Sequence, residues 1–563
     1  MKNIKMKSIN YLVGLLVIQI IFLSGCKKDF LVKPPTDAIV DGSFYQNDEQ
    51  VLAATNLLYS KVWFDYNDKA SYNLGDFRAG TAYSAYNDQG NVRFNTTGLN
   101  KENEAAWRAF FIVVGQSNLA ISNINRYAGP AVSPEIKKIA IAEARFMRAV
   151  AYRYLTMNWG DVPVIENNLT LLNDTTIHKN TAKSVWKFIT REMQAVAADL
   201  PETPMQLGRI SKWSAEGMLA RFYLTRAGVE SNGGARNQVF LDSAKYYAQR
   251  VINNSKASLL ANYAELFKYP YDNKAESLFE LQWVALSGGP GYGVGNSAPS
   301  YLNYSSDISV EGWGGDKGAT FWMLSQYEGF TANAKGDTLK GRTLDQRLKA
   351  TFMMPGANYP EITQLLNGVN QKLIFPYSKG DVNFASVKKY VVGKSEDLGF
   401  IVEAQRYPNN TYMLRLAEMY LIYAEAVLGN SASTSDATAL DYFNKVHTRA
   451  GLPQLAIPLT LDIILKERFI EFAMESMAWY DLVSLHYWNP AKAYSIINDQ
   501  DRERYNINPD VFPNPTSWTI AKTTWVAPAT RKVVANQGNF LLPIPSLELI
   551  QAPNLSKESV DYP

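Results

Sequence analysis

The chain has one cysteine and three histidines among 563 residues. A lone thiol cannot form an internal disulfide, so no cystine framework holds the protein together. His178, His447 and His486 lie far apart in sequence. Their spacing argues against a zinc or other soft-metal site, while oxygen ligands for calcium stay open. Charge of one sign is also scarce. The formal net is +3 and no long basic run occurs, which argues against a nucleic-acid surface. Gly-x-Ser-x-Gly and His-Glu-x-x-His are both absent, so there is no signature of a serine nucleophile or a zinc hydrolase. No apolar run reaches the roughly 20 residues of a membrane span.

The longest apolar run does have a use. Residues 11–23, YLVGLLVIQIIFL, follow Lys2, Lys5 and Lys7 and precede Leu-Ser-Gly-Cys. A positive start, a short apolar stretch and small residues make a secretory signal over 1–25. Leu-Ser-Gly-Cys resembles the bacterial lipobox, in which the cysteine is acylated and becomes the first mature residue. Cys26 is then the lipidation site, and several acyl chains hold a protein firmly on a bilayer. Residues 26–42, with Pro34-Pro35, read as an extended tether. Residues 43–563 read as one domain, long enough to bury a large core.

Most of that domain has helical periodicity. Ser133-Pro134-Glu135 combines an N-cap, a first-turn proline and a first-turn acid, and Gly160 with Pro163 stops the run. The spacing predicts a helix over about 134–158. Ser211 opens another, which Gly228 ends. Met413, Leu416, Tyr420, Tyr423 and Val427 step by three and four within TYMLRLAEMYLIYAEAVLG, predicting a third. Thr460 starts LDIILKERFIEFAMESMAWYDLVSL, read as one helix. Three of these segments share an Ala-Glu opening followed by alanines and large apolar groups: AEARFMRAVAY (142–152), AEGMLARFYL (215–224) and AEMYLIYAEA (417–426). Small residues let helices approach while large ones fill the grooves, the demand of a stacked helical-hairpin array. Residues 107–128, 181–199, 236–253 and 433–450 supply partner helices.

Two stretches depart from this pattern. Residues 63–100 and about 254–410 are rich in Gly, Ser, Asn and Pro and read as loop, with a few short strands in the second. Loops of that length in a compact protein are usually functional or disordered, and these carry too many aromatics for plain disorder.

Several blocks in order resemble the SusD/RagB family: the lipobox with CKKDFL, AEARFMRAVAYRYLTMNWGDVPVI (142–165), GRISKWSAEGMLARFYL (208–224), TYMLRLAEMYLIYAEA (411–426), FNKVHTRAGLP (443–453), ILKERFIEFAMESMAWYDL (464–482) and LLPIPSLELIQAPNL (541–555). The resemblance implies a mostly α fold: a tetratricopeptide-like helical-hairpin scaffold with a large irregular, loop-rich region containing a few short strands. It implies an outer-membrane lipoprotein displayed on the cell surface, a lid over a SusC-like TonB-dependent transporter. Such a lid captures oligosaccharide, or in some members peptide, and is not an enzyme. It implies no cofactor. One departure is Met477-Ala478, where the family often has a basic residue; a changed surface detail is the expectation there.

The residues suit such a task in two loops. Sugar rings have apolar faces and hydroxyl edges, so aromatic platforms with nearby amides and acids are the matching chemistry. Tyr83, Tyr86, Asn87 and Asp88 offer that mixture in one loop. Tyr292, Asn296, Tyr301, Asn303 and Tyr304 offer it in the other. Trp63 and Tyr66 form a weaker third group, and Trp313 reads as part of a structural turn. The competing reading is that these aromatics pack loops onto the scaffold. Glu467, Glu471 and Glu475 step by four with Arg468 beside them. A paired-carboxylate glycosidase is one reading of them; a solvated or salt-bridged helix face is the other. A pure protein-interaction scaffold is the remaining alternative, separated from an importer by whether the soluble protein binds a glycan.

Overall fold

The computed structural model describes residues 44–563 except 87, 173, 175, 286–292, 377–381, 501, 503–504 and 524–531. The expected signal over 1–25, Cys26 and the expected tether over 26–42 lie outside the described residues, as do Asn87 and Tyr292. The architecture is mostly helical with several short strands. No helix among the described residues is long and apolar enough to cross a membrane.

The scaffold is a staircase of helices. α1 (Lys101–Tyr127), α2 (Pro134–Trp159), α3 (Ala182–Asp199), α4 (Lys212–Val229), α5 (Gln238–Asn254), α6 (Leu416–Leu428) and α7 (Ala437–Arg449) each pack on the next. α8 (Leu461–Glu471) packs on α6, α9 (Ala478–His486) on α4, and α10 (Pro490–Asn498) on α9. The predicted start of α2 is realised atom by atom. Ser133 Oγ accepts from Ile136 N at 3.3 Å, Pro134 is the first helical residue, and Gly160 leaves at φ 76°.

The Ala-Glu openings of α2, α4 and α6 do one job three times. Ala142, Ala215 and Ala417 are buried, and so is the glutamate after each. A buried carboxylate needs a partner, and each finds an arginine. Arg209 Nη1 donates to Glu143 at 2.7 Å, Arg250 Nε to Glu216 at 2.8 Å, and Arg221 Nε to Glu418 at 2.9 Å. The repeat is therefore both steric and ionic.

Strands form where the chain leaves the staircase. β2 (Ser277–Leu281) pairs antiparallel with β10 (Thr411–Arg415), which runs directly into α6. One four-stranded sheet has the order β1 (Ala82–Ser84), β3 (Lys317–Ala319), β9 (Ser386–Val387), β6 (Phe352–Met353). A second has the order β11 (Tyr505–Pro509), β12 (Trp518–Lys522), β5 (Thr338–Gly341), β4 (Phe330–Ala332), and β7 (Ala357–Leu366) with β8 (Val369–Phe375) makes a long hairpin. One apolar core lies among the helices, around Phe110, Tyr154, Trp186 and Trp479; a second lies under the sheets, around Phe77, Tyr263, Phe352 and Trp518.

Four expectations are corrected. Met413 belongs to β10 and not to the helix: pairing with residues 277–281 overrides the helical spacing, and α6 starts at Leu416. Residues 61–77 are not open loop but short 3-10 and π-helical turns sunk in the cores, with Trp63, Tyr66, Tyr72 and Phe77 all buried. Met477 and Ala478 are buried too, so the departure there is no surface detail. The segment after Thr460 is two helices, broken over 472–477, with Met474 at φ 62° and Ser476 at φ 60°. Neither glycine nor proline marks that break. It is held from afar by Asp76, whose carboxylate accepts from Met474 N at 2.8 Å and Ser476 N at 3.0 Å. Burial pushes the Asp76 carboxyl up to about 6, while those bonds pull it down. Asp76→Ala should cost about 1–3 kcal/mol for each donor it orphans. Chemical denaturation of the purified protein checks this; an unchanged midpoint would mean the break holds itself.

The break also takes Glu475 off the helix carrying Glu467 and Glu471, so the three do not form one helix face. All are buried and salt-bridged. Glu471 receives Arg347, Arg415 and Arg449; Glu467 receives Arg347 Nη1 at 2.6 Å and faces His447 Nδ1 at 2.9 Å; Glu475 receives Lys389 Nζ at 2.9 Å and Arg415 Nε at 2.8 Å. Arg347 and Lys389 belong to the sheet-bearing insertion. The cluster thus bolts that insertion to α8, and every carboxylate in it is occupied.

Candidate functional site

β1 and β3 lie side by side, with Tyr83 opposite Gly318. The missing side chain at Gly318 matters. A Cβ there would sit 2.2 Å from the Ala385 carbonyl oxygen and 3.1 Å from Phe384 Cδ2. Glycine therefore lets Phe384 close over the strand. Tyr83 and Phe384 have ring centroids 6.4 Å apart, Tyr304 and Phe384 6.2 Å, and Tyr304 and Phe375 5.5 Å. Tyr83, Tyr304 and Phe384 are half-buried, so this aromatic group reaches the surface.

Beside it stand two rings that face solvent. Tyr86 is 77% exposed and Trp313 is 44% exposed. Both are fixed at the backbone. Tyr86 N donates to Asp316 Oδ2 at 3.2 Å, and Ala85 N to the Asp316 carbonyl at 3.0 Å. Ser84 Oγ donates to the same carboxylate at 2.8 Å. Lys317 Nζ donates to Asp316 Oδ1 at 2.8 Å and to the Trp313 carbonyl at 2.9 Å. Burial pushes the Asp316 carboxyl up, but Lys317 and these hydrogen bonds outweigh it and hold it below its usual value. One carboxylate thus ties the two aromatic-bearing turns together.

The Trp313 turn has no slack. Trp313 N donates to the Ser300 carbonyl at 2.9 Å and Gly314 N to the Asn303 carbonyl at 2.7 Å. A Cβ on Gly312 would come within 2.3 Å of Ser305 backbone carbon, and one on Gly314 within 2.1 Å of the Leu302 carbonyl oxygen. Backbone atoms cannot swing aside as side-chain ends can. Gly314→Ala should therefore displace the turn and cut ligand affinity at least tenfold with the helical scaffold intact. Titration calorimetry alongside circular dichroism checks this, and unchanged affinity would show the turn to be dispensable.

The other sequence-nominated residues lie beneath this surface. Tyr301 is only 4% exposed; its hydroxyl donates to Asp88 Oδ2 at 2.9 Å and Lys317 Nζ sits 4.4 Å from its ring centroid. Asp88, at φ 58°, thus takes a tyrosine hydroxyl, and burial raises its carboxyl. Asn296 is buried, accepting from Asn67 Nδ2 at 2.9 Å and donating to the Asn409 carbonyl at 2.6 Å. Asn303 is buried and donates to the Ser305 carbonyl at 2.5 Å. These four are walled off from solvent, and their bonds position the turns. Trp63 and Tyr66 are core residues, whereas Trp313, read as structural, presents its indole to solvent. Sequence reasoning missed Asp316, Phe384 and Arg502. Arg502 donates to the carbonyls of Phe77 at 3.2 Å, Val92 at 2.6 Å and Arg78 at 2.9 Å, clamping both ends of the loop that carries Tyr83 and Tyr86. Nothing local to Arg502 announces that role.

The rim offers ring faces, hydroxyls and backbone polar groups. Asp88 and Asp316 are each committed to protein donors, and the exposed ring faces suit binding. No group of three or more His, Cys, Asp or Glu able to hold a metal occurs among the described residues.

A family model described as the SusD family matches residues 258–561, more than half of the chain. The chain belongs to the SusD family. A second model, described as starch-binding and associating with outer membrane, matches residues 44–224 of this SusD-family chain. A SusD-like protein of Bacteroides ovatus is 35% identical over 96% of this chain and 96% of its own. A structure crystallised with a xylogluco-oligosaccharide is 33% identical, with a TM-score of 0.79 over 91% of this chain and 99% of that one. A laminarin-binding SusD-like protein shares the fold at 22% identity, with a TM-score of 0.65 over 91% of this chain and 99% of its own.

Proposed function

We propose that this SusD-family chain binds an oligosaccharide on the Tyr86–Trp313 rim, without catalysis, and passes it to a SusC-like TonB-dependent outer-membrane transporter. Acylated Cys26 would tether it to the outer face of that membrane. The observation that carries the reading is the pair of solvent-facing rings pinned to one carboxylate. Two large aromatic side chains held on fixed turns with their rings open offer stacking faces, and rigid rings lose little entropy when a ligand covers them. The similar structure holding a xylogluco-oligosaccharide supports a glycan and names the first probe. A lid would shift toward closure only if the ligand binds the closed pair better than the open one.

Calorimetry of the soluble protein, with the signal and Cys26 removed, against xyloglucan and laminarin oligosaccharides tests the reading. Binding of either is the expected result. Silence across these and a broad glycan array, with a peptide library bound instead, would replace it by peptide capture. Cys26→Ala in the full-length chain should move the protein from the membrane to the soluble fraction and abolish palmitate incorporation. Continued membrane association without acylation would refute the anchor.

A further inference from the structure

One helix of the scaffold carries charge of a single sign on its open side. α3 buries Val185, Trp186, Phe188, Ile189, Met193 and Val196, packing on α2 and α4. Its solvent face is Lys183, Lys187, Arg191, Gln194 and Ala198, all exposed and stepping by four, four, three and four. Three cations thus stand one turn apart over about 12 Å, and no acid shares the face with them.

The acids around α3 are engaged elsewhere. Glu192 is buried against Arg145 and Arg148, and Asp199 pairs with Lys138 at 3.1 Å. Glu166 takes Arg148 and the Tyr562 hydroxyl. At the helix start Asp161 accepts from Ala182 N at 2.7 Å and Asp561 from Thr181 Oγ1 at 2.5 Å, where negative charge suits the helix dipole. Lys183, Lys187 and Arg191 have no ion pair among the described residues. Without Lys2, Lys5 and Lys7 the sequence has 53 basic and 53 acidic residues. A basic face on a chain so balanced is a local feature and not a consequence of net charge.

The face lies within reach of the chain's entry. Asp48 accepts from Ser133 N at 2.7 Å at the start of α2, and Lys138 in the next turn holds Asp199, the last residue of α3. Arg191 is about 12 Å and Lys183 about 24 Å along α3 from that residue. The segment 26–42, about 17 residues, spans at most about 60 Å. A bilayer that holds an acylated Cys26 can therefore meet the whole face.

We propose that the Lys183–Lys187–Arg191 face of α3 rests on a membrane surface bearing anionic lipid headgroups. The proposal relies on the acyl anchor proposed above only to bring the chain to a bilayer. The acyl chains fix where the protein is held, and the charged face fixes which side lies down. Each Lys or Arg close to such a surface is attracted by up to about tenfold in affinity, an effect that fades within a Debye length. The rim uses none of these residues, so the two contacts do not compete.

The test leaves out the acyl chains, so its failure would not touch the anchor or glycan binding. The soluble protein, with the signal and Cys26 removed, is floated with vesicles of phosphatidylcholine alone or of equal parts phosphatidylcholine and phosphatidylglycerol. Binding to the anionic vesicles is expected to be roughly a hundredfold tighter at low salt and to weaken as salt is raised. Lys183→Gln, Lys187→Gln and Arg191→Gln combined should abolish that preference while the melting curve by circular dichroism stays that of the wild type. Lys101→Gln, Lys256→Gln and Lys335→Gln combined, an equal loss of charge at other exposed positions, should keep it. No preference in the wild type, a preference kept by the first triple variant, or an equal loss in the second would each overturn the proposal. A photo-cross-linker at Ala198 of the full-length chain in cells is expected to label lipid. A protein adduct without lipid would assign the face to an acidic protein partner and overturn it as well.

Discussion

Truncating Trp313 and Tyr86 together to alanine is expected to abolish measurable oligosaccharide binding while leaving the fold untouched. Each ring that is covered by a ligand face should contribute about 1.5–3 kcal/mol through buried apolar area and stacking. A single truncation therefore costs roughly ten- to a hundredfold in affinity, since 1.4 kcal/mol is about a factor of ten. The pair shares Asp316 as its support, so the double loss need not equal the sum of the singles. Trp313→Phe should retain more affinity than Trp313→Ala, because it keeps a platform of reduced area. Both side chains face solvent, so the melting temperature should stay close to that of the wild type. Calorimetry with a xyloglucan oligosaccharide measures all of this. Unchanged affinity in the double variant would remove the rim from the site.

The second large effect concerns Glu471. Its carboxylate is fully buried and receives three guanidiniums, from Arg347, Arg415 and Arg449. Burial alone would raise its pKa. The three arginines outweigh burial and hold the carboxyl far below its usual range. Glu471→Gln removes the negative charge and leaves the cations under-compensated, a change that costs about 3–5 kcal/mol when one partner of a buried ionic group is lost. The pH dependence has a fixed sign. A depressed folded-state pKa contributes stability that is complete above the unfolded value, near 4.3 for glutamate, and is lost as pH falls below it. Wild type and Glu471→Gln should thus differ most at pH 7, and between about pH 4 and pH 3 the gap should narrow by about 1.4 kcal/mol without closing, because the folded-state carboxyl is still ionised there. Guanidinium denaturation at both ends of that window checks it. Because the cluster bolts the rim-bearing insertion to α8, the variant should also bind glycan more weakly at 37 °C than at 15 °C.

The helices were legible where local signals agreed. The cap, proline and glycine around α2 and the small-and-large pattern of α4 and α6 all lie within the segments they specify. The failures are long-range. Residues 411–415 have helical spacing and become a strand because 277–281 lies alongside. The break at 472–477 has no local marker because its cause, Asp76, is about four hundred residues away in sequence. In the candidate site, composition singled out two loops that the Asp316 carboxylate ties together, but several of the residues it named in them are buried. Asn296, Tyr301 and Asn303 look like ligand groups in sequence, yet each is buried and hydrogen-bonded within the protein. Trp313 read as part of a structural turn; the glycines that flank it are what let that turn sit against residues 302–305 with the ring outside. Asp316 and Arg502 act through backbone groups of other segments, which no linear pattern reveals.

The most direct test of the rim's role is a crystal structure of the soluble protein with a bound xyloglucan oligosaccharide. Sugar rings lying against the Trp313 indole and the Tyr86 phenol, with hydroxyls near the Asp316 turn, are the predicted result. A ligand seated on another face of the molecule, with both rings still open to solvent, would contradict it.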